Sequence, residues 1–382
     1  MTYSLIDPYG SFLPSLLYHG LRERLRGNAS KANARWGGVR PPQTTGKVIW
    51  ILTGQSRASV RLGVELLRAI RAKRLDIRLV LTFEAEYPEV HTLLEDLKKT
   101  GYGYGPCDHP LAVKRVLGRL APYGVIFAGI TPRSNLMRTL ETCAHKLVVA
   151  ADAPVEAVLF EQVYPASEYQ ASSWKTQPQA PVVDFQVMIS EAQVDPNFVS
   201  LVNHGAERHL WWLHSDDAAY VATFFSRFRA LFPDDVLFVS GNAAQVELNV
   251  ENSQVLRIRS WQRSKIDSGT MVLVDDQKWI PAISAASSAI HLQAMSIAVL
   301  WQAMAGGCAV SCSVVSTLPK KEMAHSVSEL KDAAAVFERW QAYCDNPILA
   351  RGRGDVARKW FWQERRLAAE INEALLQRIF EW

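Results

Sequence analysis

Short apolar runs alternate with helical patterns along most of this 382-residue chain, and this alternation restricts the fold more than any other feature. Residues 47–52 (Lys-Val-Ile-Trp-Ile-Leu) form a run of strand length, typical of a strand buried on both faces. Similar runs follow at 77–83, 124–128 and 146–150, each separated from the next by a helical pattern. The order predicts βαβ units and a mainly parallel sheet.

A second series begins after a polar, proline-rich stretch at 172–181, which predicts a loop near a domain linker. Its predicted elements are strands at 210–213, 236–240, 254–259 and 270–274 and a helix at 218–231. Residues 284–312 then predict a short strand, a small-residue helix and a glycine turn into another strand, with Gly306 or Gly307 ending the helix. The expected fold is α/β, with two Rossmann-like domains facing across a cleft and a C-terminal helix that crosses back to the first domain.

The predicted domains follow from these patterns. An amphipathic and basic arm occupies 1–42, the first Rossmann-like domain 43–200, the second 201–355 and the terminal helix 356–382. Within them, helices are expected at 90–99, 136–144, 327–346 and 354–382.

The composition is that of a globular protein, with 48% hydrophobic and 21% charged residues. The net charge of +4 is too small to indicate a nucleic-acid partner. Basic residues concentrate between Arg22 and Arg40 and again between Arg68 and Arg74. Both runs are either solvated faces or a surface that rests on anionic lipid headgroups.

Five cysteines, an odd number without CxxC spacing, predict a reducing compartment and argue against a zinc site. No apolar run is long enough for a membrane span, and residues 12–18 are too short for a signal sequence. We therefore expect a cytoplasmic protein, with at most an interfacial N-terminal anchor on the inner membrane. No Asp-x-Asp motif stands at a strand end, so neither a metal nor another cofactor is expected.

Several segments, in order, resemble the Kdo (3-deoxy-D-manno-octulosonic acid) transferases of lipopolysaccharide assembly, which have the GT-B fold. Residues 34–37 (Ala-Arg-Trp-Gly) resemble that family's "RWG" after its membrane-associated helix. Residues 104–117 (Tyr-Gly-Pro-Cys-Asp-His-Pro-Leu-Ala-Val-Lys-Arg-Val-Leu) are similar to its "P-x-D-x-P-x-A-V-R-R-F-L". Residues 211–215, 271–275 and 301–310 resemble later family motifs.

The resemblance places an acceptor site in the first domain. The family's "V-G-E" turn, with its general base, is here Gln-Ser-Arg-Ala-Ser, so Ser56, Arg57 and Ser59 are the acceptor-binding candidates. Glu84, directly after a strand, is a candidate catalytic base, and the alternative is a solvated loop carboxylate. Asp108 is a second catalytic candidate, although Asp-x-Pro is also a helix cap or an Asx turn.

The second domain would bind the donor. Its candidate residues either align with family motifs or are basic. They are Ser215, Asp216, Gly241, Asn242, Arg259, Ser296 and Gln302. Ser215 and Asp216 also suit the N-cap of the following helix. The family glutamate is Gln302 here, which removes a charge-assisted hydrogen bond to a ribose.

The resemblance implies transfer of Kdo or a related acidic sugar from a nucleotide-activated donor, such as CMP-Kdo, to a lipid or glycan acceptor in envelope biosynthesis. Two alternatives stay open. One is a non-catalytic paralogue that acts as a binding or scaffold protein, because the family glutamate and basic loop are absent. The other is an enzyme for a different activated sugar that uses a shifted base such as Glu84.

Overall fold

The computed structural model describes residues 13–140, 145–151, 153, 159–173, 180–203, 208–246, 255–260, 265–315 and 318–382. Contacts divide the chain into two compact units. Unit 1 comprises Met1–Phe185 and Ala369–Trp382, and unit 2 comprises Gln186–Ala368. Each is an α/β unit built on one parallel sheet.

The strands of unit 1 are β1 Val48–Thr53, β2 Arg78–Phe83, β3 Thr100–Tyr104, β4 Gly124–Ala128, β5 His145–Val149 and β6 Gln162–Tyr164. Its helices are α1 Leu13–Leu25, α2 Ala29–Arg35, α3 Arg57–Lys73, α4 Pro88–Leu94, α5 Pro110–Leu120, α6 Ser134–Leu140 and α7 Glu168–Ser173. The sheet has the order β3-β2-β1-β4-β5-β6, and all its neighbouring strands are parallel. This is the doubly wound Rossmann order.

The strands of unit 2 are β7 Leu210–His214, β8 Val236–Ser240, β9 Val255–Arg257, β10 Met271–Leu273, β11 Ala289–Leu292, β12 Ala309–Cys312 and β13 Val327–Glu329. The later helices are α8 Gln186–Ile189, α9 Pro196–Asn203, α10 Ala218–Leu231, α11 Ile280–Ala286, α12 Ile297–Gly306, α13 Ala333–Asp345 and α14 Pro347–Glu381. The sheet order is β13-β12-β11-β7-β8-β10-β9, again parallel throughout.

The long apolar strands predicted from the sequence are confirmed, and they bury both faces as expected: β1, β4, β7 and β8 are buried at every position. In unit 2, helices α10 and α13 cover the sheet with aromatic side chains. Trp211 stacks on Trp340 with ring centroids 4.7 Å apart, and Phe224 packs beside Phe337 at 4.5 Å. Such pairs add stability beyond the area they bury.

Several short elements differ from the prediction. The segment 90–99 is helical only to Leu94, and the Tyr-Gly alternation after it forms edge strand β3. The predicted helix 327–346 is strand β13 followed by α13, whose start is fixed where Asp332 accepts a hydrogen bond from Ala335 N. The glycine turn is confirmed, because Gly307 has φ +77° and caps α12.

The boundary between the units lies after Phe185, whereas the sequence placed a domain end after residue 200. The intervening residues pack within unit 2: Glu191 N donates to Gln302 Oε1 at 3.3 Å, and the Phe198 ring lies 5.9 Å from that of Phe238. These tertiary contacts, which no local pattern reports, place the segment with the second sheet.

Helix α14 begins in unit 2, and its last residues belong to unit 1. There Glu373 pairs with Lys73 at 2.5 Å. Trp382 stacks on His145, and its indole N–H donates to Glu161 at 3.0 Å. The C-terminal residues of the chain therefore pack with the first sheet, although they are far from its strands in sequence.

Candidate functional site

Each sheet has one point where consecutive crossovers go to opposite sides of the first strand. In unit 1 it lies between the carboxyl ends of β1 and β4, and in unit 2 between those of β7 and β11. Ligands of doubly wound proteins bind in the crevice outside these strand ends. We use the term switch point for each of these two places.

The switch point of unit 1 is closed by the side chain of Ser59. Its buried hydroxyl accepts a hydrogen bond from Gly54 N at 2.7 Å and donates to Ala128 O at 2.6 Å. Gly129 has φ +64°, and a Cβ there would come within 2.9 Å of Ser59. Ser59, predicted to bind an acceptor, therefore joins the two strand ends in this structure.

The other two acceptor candidates also have local partners. Ser56 caps α3 by accepting a hydrogen bond from Ser59 N at 3.1 Å. Arg57 donates to Glu89 Oε1 at 2.5 Å and lies 6.0 Å from the centre of the Tyr87 ring. Its side chain is 45% exposed, so it can still reach an anion in solution.

A small pocket lies beside this switch point, over the ends of β1, β2 and β4. Glu84 lines it and forms an ion pair with Arg133, which the same pocket contains. The main-chain oxygen of Glu84 also accepts a hydrogen bond from Arg35 at 3.3 Å. The cavity volume of ≈ 30 Å³ admits water and little more. Sequence reasoning missed Arg133 as the partner of Glu84, because the loops after β2 and β4 meet only in the folded sheet.

Asp108 lines the same pocket but acts as a remote cap for helix α6. Its two carboxylate oxygens accept hydrogen bonds from Asn135 N at 3.1 Å and Leu136 N at 2.8 Å. The Asn135 side chain returns a bond to Asp108 O at 2.7 Å. This arrangement accounts for the residue structurally. It differs from the local cap that Asp-x-Pro suggested, because His109 caps α5 and Asp108 caps α6.

In unit 2, the turn after β7 contains the donor candidates Ser215 and Asp216. Neither caps helix α10, which is a correction to the prediction: Asp217 does, accepting hydrogen bonds from Ala219 N at 2.9 Å and Tyr220 N at 3.1 Å. The Asp217 side chain already occupies these amides, so the start of α10 is a poor place for a phosphate.

The turn after β8 is held against the turn after β7. Asn242 N donates to Asp216 Oδ1 at 2.8 Å. Gly241 has φ +99°, and a Cβ there would lie 2.3 Å from Ser215 O. The structure thus brings four donor candidates together in one tight contact, which requires glycine at position 241.

A buried polar cluster lies directly below this contact, and the sequence did not identify it. Ser240 Oγ accepts a hydrogen bond from the indole N–H of Trp212 at 2.8 Å and lies 2.9 Å from His214 Nδ1. Burial lowers the pKa of His214, so the imidazole is neutral near pH 7. The only signal in the sequence was a pair of polar residues at the ends of two apolar strands.

The unit 2 switch point is closed mainly by main-chain atoms. Gln293 N and Ala294 N both donate to His214 O, at 2.9 and 3.3 Å. The side chains of Ser215 and Gln293 add a hydrogen bond of 2.9 Å. The loop of Gln293 and Ala294 leads directly into helix α12, so the beginning of that helix lies at the switch point.

Ser296 is the N-cap of α12, and its side chain makes no capping hydrogen bond. The first amides of α12 are therefore not satisfied by the cap residue, unlike those of α10. Gln302 lies further along the same helix, is buried, and bonds to Glu191 N and Ser284 Oγ. Its amide therefore secures α12 to its neighbours.

Arg259 lies beside β10, where its main-chain N–H bonds to Asp275 Oδ1 and its guanidinium bonds to Asp275 O, both at 2.9 Å. Arg257 lies 3.8 Å from the same carboxylate. Arg263, a further basic residue in this region of the sequence, is outside the described residues, as are Cys143 and Asp152.

His291, at the third position of β11, is fully buried near Ser311 and Ser313. Burial lowers its pKa to about 4. Among the residues described, no group of three or more His, Cys, Asp or Glu side chains could hold a metal ion. Within the same residues, every helix is too short or too polar to cross a bilayer.

No family model and no curated protein sequence matches the chain. Solved structures do. The UDP-GlcNAc 2-epimerase from Neisseria meningitidis bound to UDP-GlcNAc is 11% identical, with a TM-score of 0.55 over 87% of this chain and 100% of that chain. MnaA of S. aureus, in a co-structure with UDP, is 11% identical, with a TM-score of 0.53 over 81% and 91%.

The calicheamicin glycosyltransferase CalG4 is also similar, at 13% identity and a TM-score of 0.51 over 88% of this chain and 100% of that chain. These likenesses establish the fold. The chain has two parallel-sheet Rossmann-like domains, the architecture of the GT-B glycosyltransferases.

Proposed function

We propose that unit 2 binds a nucleotide-activated sugar and that the protein transfers the sugar to an acceptor bound by unit 1. The observation that carries the proposal is the unit 2 switch point, where α12, whose N-cap side chain makes no capping hydrogen bond, begins after the short loop 293–296 that follows β11. Such amides and the positive end of the helix dipole suit a phosphate. The named ligands of two structural neighbours, UDP-GlcNAc and UDP, both carry phosphate groups.

In this proposal, main-chain amides and neutral side chains would contact the phosphate, while the nearby Asp216 carboxylate accepts a hydrogen bond from Asn242 N. Ser215, the amide of Gln293 and the turn at Gly241 offer hydrogen bonds. Arg259, the basic donor-binding candidate of this unit, bonds to Asp275. Donor binding through main-chain amides would compensate for Gln302, which replaces the carboxylate of the resembled family.

In unit 1, Glu84 is the proposed general base, because it lines a pocket at the carboxyl ends of the strands. The ion pair with Arg133 would hold the carboxylate in place. Asp108 has a structural role that leaves Glu84 as the better candidate. Arg57 is the proposed contact for an anionic group of the acceptor.

The finer proposal, supported by the resemblance to Kdo transferases, is a CMP-activated acidic sugar and a lipid or glycan acceptor of the cell envelope. Peripheral attachment to the cytoplasmic face of the inner membrane fits helix α1. Leu17, Leu21 and Leu25 lie one helical turn apart and are exposed, with Arg22 and Arg24 between them. This pattern suits an interface of lipid and water.

The first experiment is a thermal-shift screen against CMP, UDP, GDP and TDP. A ligand at 100 times its dissociation constant raises stability by about 2.7 kcal/mol. The matched variants are Ala298→Glu and Ala298→Gln, at an exposed position in the first turn of α12. The glutamate favours the helix but repels a phosphate, so it should abolish the shift while the glutamine retains it. No shift with any nucleotide would refute the proposal.

A second candidate function is nucleotide-sugar binding without turnover. The specific observation in its favour is that Ser59 and Asp108 are engaged by main-chain groups and Glu84 by Arg133. Release of free nucleotide from a donor that binds, and its loss in Glu84→Gln, would exclude this candidate. Binding with no release from any donor or acceptor tested would favour it.

A further inference from the structure

An open pocket lies at the amino ends of the strands of the first sheet, whereas the candidate site lies at their carboxyl ends. It is lined by the segment from Arg40 to Thr45 together with Arg78 and Arg119, and its cavity volume is ≈ 580 Å³. Arg78 is the first residue of β2, and Arg119 is in the last turn of α5. Both positions are at the amino ends of the strands. We call this surface the arginine pocket.

The charge of the arginine pocket is unbalanced. Three guanidinium groups line it, and no carboxylate does. Arg78 donates to Gly46 O at 2.8 Å and Arg119 to Gly37 O at 3.4 Å. A guanidinium has five N–H donors, so a single bond to a carbonyl leaves most of them for another partner. The Arg40 side chain has no hydrogen-bond or ion-pair partner among the residues that the structure describes.

The absence of a carboxylate from the arginine pocket contrasts with the surroundings of other arginines in unit 1. Arg57, Arg74 and Arg133 each pair with a carboxylate: Glu89, Asp76 and Glu84. The arginine pocket instead brings like charges together. Partial desolvation, followed by the charges of Arg115 and Arg40, lowers the pKa of Arg119. An anion in the pocket would remove this repulsion.

The wall of the pocket is held in place by tertiary contacts. Pro41 and Pro42 restrict the backbone of the segment. The hypothetical Cβ of Gly101, on edge strand β3, lies 3.5 Å from Pro42 Cδ and 3.7 Å from Arg40 O, so the strand packs closely against the segment. Thr44 and Thr45 add hydroxyl donors to the lining. The donors are therefore presented on a backbone that need not reorganise to bind.

We propose that the arginine pocket binds a phosphoryl group, carried either by a free phosphorylated metabolite or by an anionic phospholipid headgroup. Guanidinium groups match phosphate oxygens in pairs of parallel hydrogen bonds, which makes arginine the preferred residue for such recognition. The site is separate from the proposed donor and acceptor sites, and it does not depend on either.

The test measures binding of two probes by the full chain at low ionic strength: pyrophosphate, by calorimetry, and vesicles of phosphatidylglycerol in phosphatidylcholine, by sedimentation. The pocket variant combines Arg40→Gln with Arg119→Gln. The matched control combines Arg351→Gln with Arg366→Gln, two exposed arginines of α14, and has the same net charge. Equal melting temperatures of the two variants would show that both are folded.

We expect the pocket variant to bind at least tenfold more weakly than the control. Loss with pyrophosphate identifies a free phosphate ligand, and loss with vesicles alone identifies a headgroup. Pyrophosphate binding at the arginine pocket should persist in Ala298→Glu, which distinguishes it from binding at α12. The proposal is overturned if the wild-type chain binds neither probe, or if the pocket variant binds both as tightly as the control.

Discussion

The two sheets end in different ways at their switch points. In unit 1, one side chain, Ser59, bonds to Gly54 N and Ala128 O and closes the gap between β1 and β4. In unit 2, the main-chain amides of Gln293 and Ala294 close the corresponding gap by bonding to His214 O. The start of α12, beside the main-chain closure of unit 2, has no side-chain cap. In unit 1, the Ser59 hydroxyl fills the gap between the two strand ends.

The difference extends to the charged groups. Glu84 and Asp108 give unit 1 two carboxylates at its strand ends, and both have partners nearby. In unit 2, the buried cluster of His214, Ser240 and Ser215 is neutral, and the carboxylates of the same turn, Asp216 and Asp217, accept main-chain hydrogen bonds. This contrast is why we propose a catalytic carboxylate for the edge of unit 1 and a phosphate bound by main-chain amides for the edge of unit 2.

The largest expected effect tests the tight turn of unit 2. Gly241→Ala should lower the free energy of unfolding by about 4 kcal/mol, because it combines an unfavourable positive φ with overpacking against Ser215 O. Urea unfolding followed by tryptophan fluorescence would measure this loss. Gly118→Ala in helix α5 is the control: its Cβ meets nothing within 4 Å, and it should be neutral or stabilising. Equal tolerance of the two changes would contradict the strained turn.

The second prediction concerns acid stability. Burial lowers the pKa of His291 to about 4, whereas an unfolded histidine titrates near 6.5. The unfolded chain therefore takes up the proton first, and stability present above about pH 6.5 is lost as the pH falls towards 4. The loss should be about 3 kcal/mol.

His291→Gln should flatten this dependence in urea titrations between pH 7 and 4. A smaller slope should remain, because burial also lowers the pKa of His214. A variant whose unfolding free energy still falls as steeply as that of the wild type would show that other groups cause the acid loss.

The smallest effect compares Ser59, which closes the switch point of unit 1, with Ser296, the N-cap of α12 at the switch point of unit 2. Ser59→Ala leaves Gly54 N and Ala128 O without their partner and should cost about 2 kcal/mol. Ser296→Ala removes a hydroxyl that makes no capping bond, and should change stability by less than about 0.5 kcal/mol. Chemical denaturation of both variants in parallel is sufficient, and a cost at Ser296 as large as that at Ser59 would remove the distinction between the units.

Much of the fold was predictable because its main strands are apolar on both faces. Residues 236–240 illustrate this, since the predicted and observed bounds of β8 agree. Short edge strands were not predictable, because their residues are partly exposed and not consistently apolar. Strand β3 is half-exposed at every position, so its Tyr-Gly pattern has no hydrophobic period to detect.

The candidate site was less predictable than the fold. The sequence identified Glu84 as a carboxylate directly after a strand, and the family resemblance singled out Asp108 and Ser215, but neither could supply their partners. Arg133 follows Glu84 by 49 positions, and Gln293 follows Ser215 by 78. Contacts over such separations depend on strand order, which local patterns do not encode.

The sequence by itself determined two parallel α/β sheets, an end of α12 at Gly306 or Gly307 and the polar residues at the strand ends, because these depend on local periodicity and backbone preference. Only the tertiary structure decided which polar groups are already engaged, that Asp217 rather than Ser215 or Asp216 caps α10, and that Arg40, Arg78 and Arg119 share a pocket. Hydrogen bonds and charge balance are properties of groups brought together by folding, and they are fixed only when the strands take their order.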